Sequence, residues 1–378
     1  MPNGQRASAS SEKPGVFETI RSDIRSVHTE VSKTGVKETV RQTFADLDRF
    51  YLDEGQQRFL AGVGAVRRWL WRSWWLLKSL FLRLAPGRRV LLLLSFVLLW
   101  VSVQGTVGPG SARVDLSFVG VFLILMVLLL ELKDKLLARD ELEEGRAVQR
   151  ALLPDPDPAI PGWDVWLTSV PANDVGGDLV DVMRLGDERY GLTLADVAGK
   201  GLGAALLMAK LQATLRALVW EQPDLGDLAS RVNRILCRDG LPNRFATLVH
   251  VELQADSGRV RLINAGHMPP LLVRGGRIVE LPGGGMALGI FDGATFTEQV
   301  ADLQRDEMLV IYSDGVTEAM NVHEELYGDE RLRAVLETGP ATSSRELATR
   351  LEADVQRFVA EARRHDDLSL LVLRRTGG

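Results

Sequence analysis

The sequence predicts an α+β domain of antiparallel sheets covered by helices over residues 154–378, preceded by a helical hairpin of two apolar segments. Three observations carry this. Nine short strand-like runs follow residue 162, and several are joined by links as short as Gly186-Asp187 and Gly275-Gly276, which suit hairpins. Four longer stretches with apolar residues at helical spacing are grouped between them rather than alternating strand by strand, which argues against a doubly wound parallel sheet. Residues 88–132 are almost wholly apolar, while both flanks carry the charge.

Residues 1–14 are small and polar and predict a disordered tail. Residues 15–87 read as a helical region. Phe17, Ile20, Ile24, Val27 and Val31 form a seam stepping by three and four. Trp69, Trp71, Trp74 and Trp75 then stand among Arg67, Arg68, Arg72 and Lys78, a mixture suited to a lipid headgroup layer. Residues 90–107 and 116–132 have the composition of two short membrane spans, a span needing about 20 apolar residues. Basic residues before the first and after the second put both chain ends in the cytoplasm by the positive-inside rule. The expectation is therefore a multi-pass membrane protein contacting lipid. Residues 133–153 read as a charged connector helix, through which a homodimer is an option, and the proline-rich segment 154–162 breaks regular structure and marks a domain boundary.

In the domain that follows, strands are expected at residues 163–170, 179–185, 190–195, 245–254, 260–264, 270–273, 278–281, 308–313 and 368–373. Helices are expected near 202–220, 225–237, 329–337 and 344–362. The net charge of −5 gives no case for nucleic acid, and the single cysteine, Cys237, excludes an intrachain disulfide and fits a reducing compartment. Cys237 lacks any accompanying nucleophile signature and reads as a small packed residue.

Four acidic positions stand out. Asp178 follows Gly176-Gly177, Asp196 closes an apolar strand before Ala198-Gly199-Lys200-Gly201, Asp314 closes the run LVIYS before Gly315, and Asp366 with Asp367 precedes SLLVL. Each lies at a strand end beside glycine or a turn, where a carboxylate projects into a crevice. A single Asp-Gly at a strand end is ordinarily a turn, but four in one domain suggest a shared acidic site. Oxygen ligands without cysteine select hard ions, Mg²⁺ or Mn²⁺. That reasoning supplies a metal and no reaction.

Residues 143–374 resemble the protein phosphatase 2C superfamily in its bacterial SpoIIE/RsbU branch. The resemblance rests on RAVQRALLP, VPANDVGGDLVD, LTLADVAGKGLGAALLMAKLQATLRAL, RFATLVHVEL, INAGHMPPLLV, LVIYSDGVTEAMN, LYGDERL and DDLSLLVLR, in that order. It implies an αββα sandwich, with two Mn²⁺ or Mg²⁺ ions held by Asp178, Asp196, Asp314, Asp366 and the main-chain carbonyl of Val197. It further implies hydrolysis of phosphoserine or phosphothreonine by metal-activated water, on a regulatory protein of the anti-sigma factor antagonist type. A non-enzymatic docking module of the same fold is the rival reading. Leu179 and Val180 stand where the family commonly has aromatics, and no histidine accompanies Asp196, so the general acid is unassigned. His267 in NAGH and Lys200 are the side candidates, as leaving-group acid and phosphate contact.

Overall fold

The computed structural model describes residues 54–377 except 105–115, 174, 187, 240–243, 256, 340 and 363. The expected tail and the seam from Phe17 to Val31 lie outside the described residues. The chain divides into two compact units between Asp134 and Lys135.

The first unit holds α1 (Glu54–Ala61), α2 (Ala65–Arg83), α3 (Pro86–Gln104) and the start of α4 (Ser117–Leu152). Trp71 and Trp75 pack edge-on against Phe59, with ring centroids 6.0 and 5.6 Å away, so two of the four tryptophans form a small aromatic cluster rather than a belt. Helices α3 and α4 meet at Gly120, where a Cβ would press on the Leu99 side chain and the Ser95 carbonyl. Close approach of two helices requires a small residue there.

The membrane reading is corrected here. Among the described residues no helix is long and apolar enough to cross a membrane. In α3, Arg88 and Arg89 occupy the first turn, and the apolar run from Val90 to Val103 spans only about 21 Å against a hydrocarbon core of about 30 Å. In α4, Glu131 interrupts the apolar run within four turns. The Arg88 guanidinium bonds both Glu131 (2.7 Å) and Asp134 (2.5 Å), pairing charge at the ends of both runs. The expectation of a multi-pass membrane protein in contact with lipid falls with this finding. The second apolar segment and the connector form one continuous helix.

Among the described residues, the second unit has ten strands in two antiparallel sheets. They are β1 (Trp163–Val170), β2 (Leu179–Arg184), β3 (Arg189–Val197), β4 (Ala246–Gln254), β5 (Arg259–Ala265), β6 (Leu271–Arg274), β7 (Arg277–Glu280), β8 (Gln299–Asp302), β9 (Met308–Tyr312) and β10 (Leu368–Arg375). One sheet runs β1-β10-β9-β6-β7 and the other β2-β3-β4-β5-β8. Helices α5 (Leu202–Leu218) and α6 (Leu225–Asp239) follow β3, a single turn α7 (Asp314–Thr317) follows β9, and α8 (Gly328–Glu337) and α9 (Ser344–Val359) precede β10.

Three buried clusters define the layers. Val165, Leu167, Leu371 and Leu373 of one sheet meet Leu192, Leu194, Val249 and Val251 of the other. Leu248 and Ile263 on the opposite face of the second sheet meet Leu211, Leu215, Val232 and Leu236 of α5 and α6. Val310, Leu370 and Val372 likewise meet Leu332, Leu351 and Val355 of α8 and α9. Alternate residues of a strand point to opposite faces, so strands buried on both faces read as continuous apolar runs, and the helix–sheet–sheet–helix order follows. Strand β8 escaped sequence reading because it is a four-residue edge strand with half its residues exposed.

Candidate active site

Each sheet delivers carboxylates to one region. In the second sheet Leu179 pairs with Ala195, and antiparallel register sets Asp178, one residue earlier, across from Asp196, one residue later. In the first sheet Tyr312 pairs with Leu370. The chain leaving β9 at Asp314 therefore runs beside the chain entering β10 at Asp366 and Asp367. A Cβ at Gly315 would overlap the Asp367 carbonyl, which shows how closely these segments pass.

The two adjacent aspartates do different work. Asp367 is buried, and its carboxylate accepts the amides of Ala172 (2.7 Å) and Gly177 (2.6 Å). It thus fixes the loop that carries Asp178 and belongs to the frame. Asp366 is half-exposed and its Oδ2 faces Lys200 Nζ at 3.1 Å. Lys200 also donates to the His365 carbonyl, so the structure turns this lysine toward a proposed metal ligand rather than leaving it free for phosphate. Gly177 is needed because a Cβ there would stand 3.1 Å from the Val197 carbonyl, the fifth proposed ligand. Gly199 adopts φ +109°, and Arg244 passes against it to donate to the Ala198 carbonyl at 2.8 Å.

The electrostatics record crowding of like charge. Burial and then the neighbouring Asp196 hold the Asp178 carboxyl well above the usual range. Burial and then Asp366 raise Asp196. Burial, Asp196 and Asp366 push Asp314 up to about 6. Asp196 is therefore the carboxylate that the other three predicted positions share as a neighbour. Among the described residues no three histidine, cysteine, aspartate or glutamate side chains are grouped closely enough to hold one metal ion. The donor chemistry nevertheless fits a hard divalent cation: Asp178 is 4% exposed and its Oδ2 is buried without a hydrogen-bond partner. A buried, unpartnered carboxylate oxygen facing other carboxylates is relieved by a cation.

Comparison with known proteins places this arrangement. The family described as Stage II sporulation protein E (SpoIIE) matches residues 186–376, just over half of the chain. The chain belongs to the SpoIIE family. It is 28% identical over 274 residues to Protein IcfG of Synechocystis sp., covering 65% of this chain and 43% of that protein. It is 27% identical over 243 residues to Phosphoserine phosphatase RsbU of Bacillus subtilis, covering 63% of this chain and 70% of that one. The chain thus spans less than half of the first relative's length. The SiaA-PP2C domain of Pseudomonas aeruginosa shares the fold, with a TM-score of 0.55 at 20% identity over 64% of this chain and 98% of that chain.

Within this SpoIIE-family domain, His267 does not serve as an exposed acid. It is 7% exposed, and its Nε2 lies 3.1 Å from the Tyr312 carbonyl, which can only accept. Nε2 therefore carries the proton, and Nδ1 accepts from the Thr247 hydroxyl at 2.7 Å. Burial holds the imidazole near 4, so the ring is neutral at pH 7. It ties Thr247, the register partner of Asp196, to the strand end before Asp314. Cys237 sits on α6, its thiol pushed up by burial and directed at the Asn233 side chain (3.7 Å). Sequence reading missed Gln149, whose amide donates to the Gly176 carbonyl (2.8 Å) and accepts the Gly176 N–H (3.0 Å). The uncharged polar residue between the arginines of RAVQRALLP was the available signal.

Proposed function

We propose that the chain is a metal-dependent protein-serine/threonine phosphatase acting on a phosphorylated regulatory protein of the anti-sigma factor antagonist type. The observation that carries this reading is the meeting of Asp178, Asp196, Asp314 and Asp366, with a buried Asp178 oxygen unpartnered. Membership of the SpoIIE family and likeness to a phosphoserine phosphatase support the reaction class. These four carboxylates and the Val197 carbonyl would hold two Mn²⁺ or Mg²⁺ ions. When bound, such ions supply Lewis acidity toward phosphoryl oxygens and lower the pKa of water.

The chain's own residues have narrower tasks. Asp367 and Gln149 fix the Gly176–Asp178 loop from two sides, so the Asp178 oxygens are oriented before any ligand arrives. His267 aligns the two strand ends without presenting a proton, its N–H being committed to Tyr312. The leaving-group proton would come from water, and with Cys237 neutral and turned into α6, no phosphoenzyme is required. A homodimer through residues 133–153 belongs to the same proposal.

The test is Mn²⁺-dependent release of phosphate from a phosphoserine protein. Asp196→Asn and Asp314→Asn should each abolish it while circular dichroism stays native. Full activity in either variant would sink the assignment.

A further inference from the structure

The last turns of α4 form one wall of a cleft of about 320 Å³ whose other walls include Ser169, Gly176 and Asp178. Arg146 and Arg150 line this cleft from the helix side. Four residues apart, they occupy one face of the helix a turn from each other. Gln149 lies between them and fastens that face to Gly176. The Nε of Arg146 is buried and has no hydrogen-bond partner among the described residues, and the same is true of Asp178 Oδ2 in the same cleft. The cleft therefore contains an unpaired donor and an unpaired acceptor that do not satisfy each other.

We propose that Arg146 and Arg150 form an anion subsite that receives the phosphoryl group of the substrate beside Asp178. The proposal rests on the phosphatase reading and names how that site would take its substrate. A phosphoryl dianion entering a region of five aspartates is repelled. Among the described residues, Lys200 is engaged with Asp366 and Arg244 with the Ala198 carbonyl. Arg146 and Arg150 are the cationic residues lining the cleft. Guanidinium groups present paired N–H donors that match phosphoryl oxygens, as a lysine does not.

The experiment is calorimetric titration of inorganic phosphate into the full chain with Mn²⁺ present, for wild type, Arg146→Gln, Arg150→Gln and Arg146→Lys. It is paired with KM and kcat on p-nitrophenyl phosphate. Each glutamine variant should weaken phosphate binding and raise KM by about 10-fold or more, the worth of a charge-assisted pair. Mn²⁺ affinity should stay within about twofold, and Arg146→Lys should recover part of the loss. Arg150 is exposed, so its variant keeps the test sound if Arg146→Gln folds poorly. Unchanged phosphate affinity in Arg150→Gln would overturn the subsite, as would a wild type that binds no phosphate. So would a matching loss of Mn²⁺ affinity, which would assign both arginines to holding the Asp178 loop. A wild type that binds phosphate through both arginines yet turns nothing over would instead defeat the phosphatase reading and leave the subsite standing.

Discussion

Asp314→Asn should make the metal-free protein more stable at neutral pH, although it removes a proposed ligand. Asparagine keeps the shape of aspartate and removes its charge. In the native state Asp314 is pushed up to about 6 by burial and by Asp196 and Asp366, against an ordinary 3.8. Between those values the native carboxyl keeps a proton that the unfolded one has released. Its contribution is therefore full below pH 4 and lost as pH rises through 6. The shift is worth about 3 kcal/mol at face value. Because the group is half-exposed, screening reduces this to about 1–2 kcal/mol, or about 3–6 °C in a domain of this size. Two buried histidines act in the opposite sense: His250 and His267 are held near 4, so acidification from 6.5 to 4 destabilises the fold. Both are present in either protein, so the difference between mutant and wild type isolates Asp314. Thermal unfolding in chelator should give a difference near zero at pH 4, rising to about 3–6 °C in favour of Asp314→Asn at pH 7. With Mn²⁺ the order should reverse. A difference independent of pH, or a less stable mutant in chelator at pH 7, would refute this account of the acidic cluster.

Adjacent aspartates should respond differently to the same change. Asp367→Asn replaces the acceptor of the Ala172 and Gly177 amides and should cost about 2–4 kcal/mol by urea unfolding; Asp366→Asn should cost less than about 1 kcal/mol yet abolish Mn²⁺-dependent turnover. His267→Gln should lose about 1–3 kcal/mol at pH 7 through its bonds to Tyr312 and Thr247. The same variant should lose less additional stability than wild type between pH 6.5 and 4, because one buried neutral imidazole is gone. A pH dependence equal to wild type would show that His267 is not held neutral by burial.

The sheets were legible because their strands carry apolar faces separated by short turn links. Strand β1 matched the expected residues at both ends, and β4 began one residue late. What escaped depended on partners distant in sequence. Hydropathy alone does not separate a membrane span from an apolar hairpin whose charged ends pair, and nothing near Arg88 announces Glu131 or Asp134. Likewise Asp366-Asp367 reads as two equivalent carboxylates. Only the distant loop at Gly177 shows which is committed to main-chain amides. Asp178, Asp196 and Asp314 stood out in the sequence because strand ends and glycines are local features. Their mutual repulsion was inferable in kind, while its extent required burial.

The same division explains how the fold tolerates its acidic cluster. Asp178 and Asp196 belong to one sheet, Asp314 and Asp366 to the other, and like charge tends to separate the sheets at this edge. Two ties hold the edge together. Asp367, at the head of β10, grips the Gly177 amide beside β2, and His267, after β5, bridges Thr247 and the Tyr312 carbonyl of β9. Neither tie uses an oxygen of the four proposed ligands. Asp178 Oδ2 is left unpartnered, and Asp366 accepts the amide of Asp367 and meets an exposed lysine across a screened ion pair. Ties built from groups outside the ligand set hold the carboxylates in place at a cost in stability that a bound cation offsets. Folding stability and cation affinity are then linked through the same four side chains, which is why removing the Asp314 charge should strengthen the empty fold and weaken the loaded one.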